Sequence, residues 1–312
     1  MPEKKSLLVR IALLLGGALL LALVIVFVQG HEPVAVGEPW KDFSGAKALA
    51  QVQALVDFGP RPAGSEALGK SRAYITQELE RVDWKVREQS FKDETPRGPV
   101  NFVNLIATYG GERSDRKPRF LLCSHYDTKI FDSFTFVGAN DGGSSTGALL
   151  EMARVLSLHP ALAARVDLVF FDGEEAVEEF SATDGLYGSR HFARQLEESK
   201  NKHAYQSGVV WDMMGDRDLT ITLPLDSPPA LATGIFAAAD ALRVRNYFTY
   251  YTDDVLDDHS PLNAIGIPTI DLIDFDYPPW HTAGDTMDKL SAESLQIVGA
   301  VTAYYLARAA TP

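Results

Sequence analysis

Hydrophobic positions along the chain form one long unbroken run and then many short ones. From Ile11 to Val28 no side chain is charged or polar, and Lys4, Lys5 and Arg10 precede the run. As a helix it would cover roughly 27 Å, close to the hydrocarbon thickness of a bilayer. Basic residues ahead of such a span favour a cytoplasmic segment over 1–10, with everything after Gln29 on the far side. A membrane anchor over 11–28 is the leading expectation, because the run is long for a signal-peptide core and no small-x-small cleavage site follows it. A cleaved signal peptide is the rival and would make the protein secreted. A buried core helix is the bland reading; soluble domains rarely open with basic residues and then an unbroken apolar stretch. Residues 29–43, polar and Pro-containing from His31 to Phe43, are expected to be a linker to a folded domain over 44–312.

Beyond the linker the periodicity changes. A helical pattern starts near Ser44, with Leu49, Val52, Leu55 and Val56 on one face, and Gly59-Pro60-Arg61-Pro62-Ala63-Gly64 ends it. A second helix is predicted over Leu68 to Val82. Trp84 to Gln89 alternates like a strand, and a loop leads to another strand at Phe102–Ala107. Four short apolar runs follow, Phe120–Cys123, Val166–Phe171, Val209–Met213 and Thr269–Ile273. Helical patterns separate them near Gly147–Leu156, Leu186–Leu196, Ala230–Leu242 and Ala292–Ala310. Apolar strands alternating with helices predict an α/β fold of three layers, α/β/α, with a mostly parallel mixed central sheet. No internal repeat or low-complexity tract interrupts it.

Composition narrows this little but usefully. About 280 of the 312 residues remain after the apolar leader, enough for one large domain. The formal net charge of -13 argues against nucleic acid, and no basic stripe interleaved with aromatics contradicts that. Cys123 is the only cysteine, so no internal disulfide forms; within an apolar run it reads as a small buried hydrophobe.

Ionisable residues follow several predicted strands at once: His125 and Asp127, then Asp172, Glu174 and Glu175, then Asp212. The carboxyl ends of strands in an open α/β sheet are where ligands bind. His125, Asp141, Glu175, Asp212 and His281 form a nitrogen-and-oxygen set that suits zinc, with manganese and cobalt compatible by ligand type. With two metals Asp141 would bridge, His125 and Asp212 completing one site and Glu175 and His281 the other. Asp127 is placed to accept the free ring N–H of a ligating His125. Asp141-Gly142-Gly143 puts a carboxylate on a sharp turn, with Ser144 as a candidate N-cap. In Glu174-Glu175 one carboxylate can bind metal while its neighbour faces substrate as a proton carrier. Taken singly, each of these acids is more often a turn or cap residue; the set is what points to a metal.

Ser124-His125-Tyr126-Asp127, Gly138-Ala139-Asn140-Asp141, Phe170-Phe171-Asp172-Gly173-Glu174-Glu175, Tyr187-Gly188-Ser189-Arg190 and Trp280-His281-Thr282 resemble the M28 family of zinc aminopeptidases and glutaminyl cyclases, in family order from about Ala48 to Ala310. The resemblance implies a zinc-exopeptidase-like fold and an enzyme acting on peptides or proteins with a free N-terminus. His125 to Lys129, Asp184 to His191, Asp257-Asp258-His259 and Trp280 look like the cyclase branch, which forms N-terminal pyroglutamate. In that branch one zinc is held by the residues matching Asp141, Glu175 and His281, with His125 and Asp212 present but not ligating. The implied roles are proton transfer for Glu174, steadying of the intermediate for Asp258 with Asp257, and pocket walls for Trp280 and Phe180. Thr128 stands where the cyclases usually have serine, and Phe180 where they commonly have tryptophan. The segment from Ala283 to Leu290 looks more like the aminopeptidase branch, where two zincs and a water activated by Glu174 are implied.

His259 is a candidate hydrogen-bond partner for an active-site carboxylate, whereas Arg190 and His191 are expected to brace the fold. Tyr247, Tyr250 and Tyr251 either line the pocket or pack ordinarily. A non-enzymatic ectodomain of the same fold would be expected to lose Glu174 or one of Asp141, Glu175 and His281, and all four are present. The sequence leaves oligomeric state open.

Overall fold

The computed structural model describes residues 37–110 and 119–310. The segments 1–10 and 11–28 and the first part of the 29–43 linker lie outside the described residues. Among the described residues no helix is long and apolar enough to cross a membrane. The described end of the linker is packed rather than loose. Pro39–Lys41 forms a 3-10 turn, Phe43 is buried, and Trp40 tilts against Tyr304 with ring centroids 4.6 Å apart. The folded domain therefore begins near Pro39 rather than Ser44, because the polarity of the whole stretch masks two aromatic anchors.

Helix α1 (Gly45–Val56) and α2 (Glu66–Glu80) open the domain, and Ser44 and Ser65 cap them by accepting from the Lys47 and Leu68 N–H groups. A hairpin follows, β1 (Trp84–Thr95) and β2 (Gly98–Tyr109), in full antiparallel register across Pro96-Arg97. The loop expected after Gln89 is thus strand. Charges at Lys92, Asp93 and Glu94 blur the alternation there, since β1 is an edge strand held by its ladder more than by burial. Then come β3 (Arg119–His125), α3 (Gly143–Ser157), α4 (Pro160–Ala163), β4 (Val166–Phe171) and α5 (Tyr187–Glu198). The chain ends with β5 (Tyr205–Asp212), β6 (Ile221–Leu223), α6 (Pro229–Ala241), β7 (Phe248–Tyr250), α7 (His259–Ala264), β8 (Thr269–Ile273) and α8 (Ala292–Ala309).

The strands form one mixed sheet in the order β1-β2-β4-β3-β5-β8-β6-β7, with β4, β3, β5 and β8 parallel at its centre. Period-two alternation sends Phe120 and Leu122 of β3 into one core and Leu121 and Cys123 into the other. The first core is shared with α1, α3, α6 and α8 through Val52, Leu149, Ile235 and Val298; the second with α5 and α7 through Phe192 and Leu262. Helices on both faces make the three expected layers. Cys123 is buried and free, as expected.

The parallel register fixes the site. His125 ends β3 beside Phe171, the last residue of β4, and Asp212 ends β5 beside Ile273 of β8. The residues following these strands therefore gather at one rim.

Packing between α1 and α3 offers a test whose sign decides the matter. A Cβ on Gly147 would lie 2.5 Å from the Val52 Cγ2 and 2.7 Å from its backbone nitrogen. Alanine's better helix propensity would contribute about 1 kcal/mol, but forcing the helices apart costs about 1–3 kcal/mol. Gly147→Ala should lower stability to urea; a rise would show that the helices do not approach this closely.

Candidate active site

Asp141 sits at the start of α3, on a turn that only glycine permits. Gly142 has φ +72°, and a Cβ there would meet the Asp127 carbonyl oxygen at 2.5 Å and the His125 ring at 3.0 Å. Ser144, expected as N-cap, lies inside the first turn instead. Its hydroxyl donates to the Asn140 carbonyl (2.6 Å) and accepts from the Met214 N–H (3.1 Å), tying the helix start to the end of β5. Two strained residues flank the rim: Met213, directly after Asp212, at φ +45°, and His281 at φ +53°. Backbone strain in non-glycine residues concentrates where a site requires a particular side-chain direction.

The five expected ligands meet. His125, Asp141 and Asp212 form one group, and Asp141, Glu175 and His281 a second, each with its ligand atoms within 4.8 Å of one another. Asp141 turns Oδ1 towards His125 Nε2 (3.3 Å) and Oδ2 towards His281 Nε2 (3.3 Å). The two groups differ in how well they are satisfied. His125 Nε2 pairs with Asp212 Oδ1 at 3.1 Å. In the other group Asp141 Oδ2 and Glu175 Oε2 are buried without a hydrogen-bond donor among the described residues, although Glu175 Oε1 pairs with His281 Nε2 at 3.2 Å. One imidazole and two carboxylates converging on orphaned oxygens match the three protein ligands of a catalytic zinc with one open position. The residues fit the ion.

Asp127 stands 3.5 Å from His125 Nδ1, which has no hydrogen-bond partner among the described residues, so the expected ring bond is not made. Its carboxylate instead accepts the Glu174 N–H (3.1 Å) and Glu175 N–H (3.3 Å). It thereby holds the loop that turns adjacent glutamates in different directions. For His125, burial works to lower its pKa, but Asp212, Asp127 and Asp141 outweigh it and hold the ring well above the ordinary value. Burial pushes Glu174 well above the usual carboxylate range; His125 opposes this and Asp257, Glu175 and Asp258 add to it.

Asp141, Glu174, Glu175, Asp212, Asp257 and His281 line one cleft, walled by Phe180, Val255, Ile273, Phe275 and Trp280. Trp280 stacks on the His281 ring, centroids 4.3 Å apart, and leans on Phe275. Phe180 stands at the rim, its ring 5.7 Å from Lys129 Nζ. Asp258 is buried, and among the described residues its two oxygens, both oxygens of Asp271 and both nitrogens of His259 have no hydrogen-bond partner. His259 Nδ1 comes only within 3.7 Å of Asp271, so the expected hydrogen bond is not made, and burial lowers the His259 pKa while raising that of Asp271. Arg190 braces the loop before α5 through the carbonyls of Ser181, Ala182 and Gly185, and His191 stacks on Phe91 at 4.0 Å. Tyr251 packs on Phe275 of the cleft wall, while Tyr250 meets Phe236.

Two supporting residues escaped sequence reading. Asp285 accepts the N–H groups of Asn140 (2.8 Å) and Asp141 (3.1 Å) and the Tyr277 hydroxyl (2.8 Å). Arg61, fully buried, donates to the carbonyls of Gly59, Val137 and Gly138 behind the Asp141 turn. Burial lowers its pKa to about 10 against the pull of Asp285, Asp127 and Asp141, so it stays charged. In sequence both lie in Gly- and Pro-rich or Gly- and Thr-rich turns, where burial leaves no periodic signal.

The model of peptidase family M28 matches residues 104–306. A glutaminyl-peptide cyclotransferase of Drosophila melanogaster is 27% identical over 301 residues, covering 86% of this chain and 84% of its own. The crystal structure of an Acidobacteriales bacterium glutaminyl cyclase superposes with a TM-score of 0.78 at 32% identity, over 90% of this chain and 97% of the other. A leucine aminopeptidase precursor from Bacteroides thetaiotaomicron VPI-5482 superposes with a TM-score of 0.76 at 26% identity, over 87% and 98%.

Two measurements probe the supports. Asp285→Ala would strand the buried N–H groups of Asn140 and Asp141, and zinc affinity should fall by about 10–100-fold in competition with a chelator; unchanged affinity would remove Asp285 from the site. Asp172, its Oδ1 buried without a donor, is pushed up from 3.8 to about 8, by burial first and Asp127 second. An acid raised in the folded state costs stability as pH rises from its ordinary value through the raised one. Asp172→Asn keeps an acceptor for the Val103 N–H, so its Tm relative to the parent should climb between pH 4 and pH 8. A pH-independent difference would contradict this.

Proposed function

This chain belongs to peptidase family M28, and we propose that it is a zinc-dependent glutaminyl-peptide cyclotransferase, closing N-terminal glutamine to pyroglutamate with release of ammonia. The observation that carries the one-zinc form of this reading is the unequal satisfaction of the two ligand groups. Each group has one imidazole–carboxylate pair, but Asp141 Oδ2, 3.3 Å from His281 Nε2, and Glu175 Oε2, 3.8 Å from Lys129 Nζ, are left without a hydrogen-bond donor among the described residues. The cyclotransferases and cyclases among the similar proteins support the cyclase chemistry.

Zinc held by Asp141, Glu175 and His281 would act as a Lewis acid on the γ-carbonyl of the substrate's first side chain. The cleft residues do the remainder. Trp280, Phe275 and Ile273 form an apolar wall that holds the short side chain against its own α-amine, an arrangement that replaces a bimolecular encounter. Glu174 takes a proton from the amine as its nitrogen bonds to the γ-carbon. It returns that proton to the departing amide nitrogen, which leaves as ammonia. One C–N bond forms, one breaks, and no water is consumed. A carboxyl raised by burial suits both halves of this exchange. Asp257, which lines the cleft, and Asp258 behind it, both raised by burial, steady the intermediate as hydrogen-bonding carboxyls.

A two-zinc aminopeptidase is the second reading, favoured by the way Asp141 offers one oxygen to each group. His125 and Asp212 would then be ligands and Glu174 would deprotonate a water. For the whole chain we propose a location outside the cytoplasm, tethered or released according to the fate of residues 11–28; this rests on the basic-then-apolar opening of the sequence.

The zinc-loaded protein should release ammonia from a peptide beginning in glutamine and leave one beginning in leucine intact, with chelator abolishing the reaction. Release of free leucine would establish the second reading instead. Glu174→Gln should slow either reaction by about 10²–10⁴-fold; a loss under tenfold would remove Glu174 from proton transfer.

A further inference from the structure

A second cavity adjoins the cleft, and nothing in the chemistry above uses it. It is a groove of about 470 Å³ between α5 and α7, floored by Leu186, Ala193, Pro261 and Ile265. Its volume falls in the range of ligand-binding pockets. Leu256 belongs to both cavities, and Phe180 of the cleft is followed directly by Ser181 of the groove. The two spaces are therefore neighbours, with Leu256 as a shared wall. Leu256, Phe180 and Trp280 are among the large hydrophobic residues the domain leaves most open to solvent, at 55%, 38% and 39% exposure. Together they mark a path from the cleft mouth outwards.

The groove's charges are of the sign opposite to the chain's excess. Arg190 and Arg194 both line it. The guanidinium of Arg190 is oriented by the carbonyls of Ser181, Ala182 and Gly185, with Asp93, Asp184 and Asp258 close enough to act on its charge. Arg194 contacts the His191 ring at 3.1 Å, a neutral partner. Glu197 is the one acid among the lining residues, so the balance there is positive in a protein of net charge -13. Two oriented cations beside an apolar floor complement a ligand that is apolar and then acidic.

We infer that this groove receives the residues following the first residue of the substrate, and that it favours peptides whose second to fifth positions are apolar and then acidic over those that are basic. The inference rests on the peptide reading of the cleft for the direction in which the chain leaves it. An extended peptide advances about 3.3 Å per residue, so three residues cover about 10 Å.

The test uses three substrates with the zinc-loaded protein: Gln-Ala amide, Gln-Leu-Ala-Glu-Glu amide and Gln-Leu-Ala-Lys-Lys amide. The acidic pentapeptide should exceed the basic one in kcat/KM by roughly three- to thirtyfold, the range that two exposed ion pairs supply, and the ratio should shrink at high salt. Arg194→Glu, an exposed position, should bring that ratio to one or invert it; because it is a ratio, any general loss of activity cancels. Binding of both pentapeptides, labelled at the C-terminus, to the Glu174→Gln variant is followed in parallel by fluorescence anisotropy. Acidic-over-basic binding without ammonia from any substrate would retain the groove and overturn the cyclase. Ammonia from all three substrates with equal kcat/KM and equal binding would retain the cyclase and overturn the groove. An Arg194→Glu ratio equal to the parent's would also overturn it, as would a dimer in sedimentation that this substitution dissociates.

Discussion

Buried carboxylates crowd the carboxyl rim of the parallel strands, and their charge is the constraint around which the rest is arranged. Asp127, Asp141, Glu174, Glu175, Asp212, Asp257, Asp258 and Asp271 are all buried there, against Arg61, His125, His281 and Lys129. Ionised groups removed from water are costly unless paired or bound to a cation. Part of the excess is relieved by protonation, since burial raises Glu174, Asp258 and Asp271. Part is relieved by hydrogen bonds to the N–H groups that Asp127 and Asp285 collect. Among the described residues Asp141 Oδ2, beside His281, and Glu175 Oε2 are left with no hydrogen-bond donor, which a divalent ion would satisfy. The same imbalance that would hold an ion raises the proton affinity of Glu174, so metal binding and proton transfer would have one electrostatic origin.

Much of this was visible before the fold was known, and the limits of that visibility are physical. The runs Phe120–Cys123, Val166–Phe171, Val209–Met213 and Thr269–Ile273 stand out because a parallel central strand is buried on both faces. Residues placed immediately after them, His125, Glu174-Glu175 and Asp212, inherit their position from the strand ends. Asp141 and His281 carry no such register, and the family resemblance of their neighbourhoods adds to their residue type. β6, β7 and α7 span three to six residues, too few for a period to declare itself. The hairpin extension through Ser90–Val100 was lost because an edge strand tolerates charge on both faces. Arg61 and Asp285 act through burial that only the assembled fold creates, and in sequence they are indistinguishable from surface-turn residues.

The two chemistries open to this rim differ by very little structure. Both place Glu174 beside a Lewis acid and a free amine; they part on whether His125 and Asp212 serve each other or a second ion. The most direct measurement is a crystal structure of the zinc-loaded protein with anomalous data at the zinc edge. One peak bounded by Asp141, Glu175 and His281, with His125 still paired to Asp212, is the predicted result. A second peak between His125 and Asp212 would contradict the single-ion account, and no peak at the rim would contradict the metal centre itself.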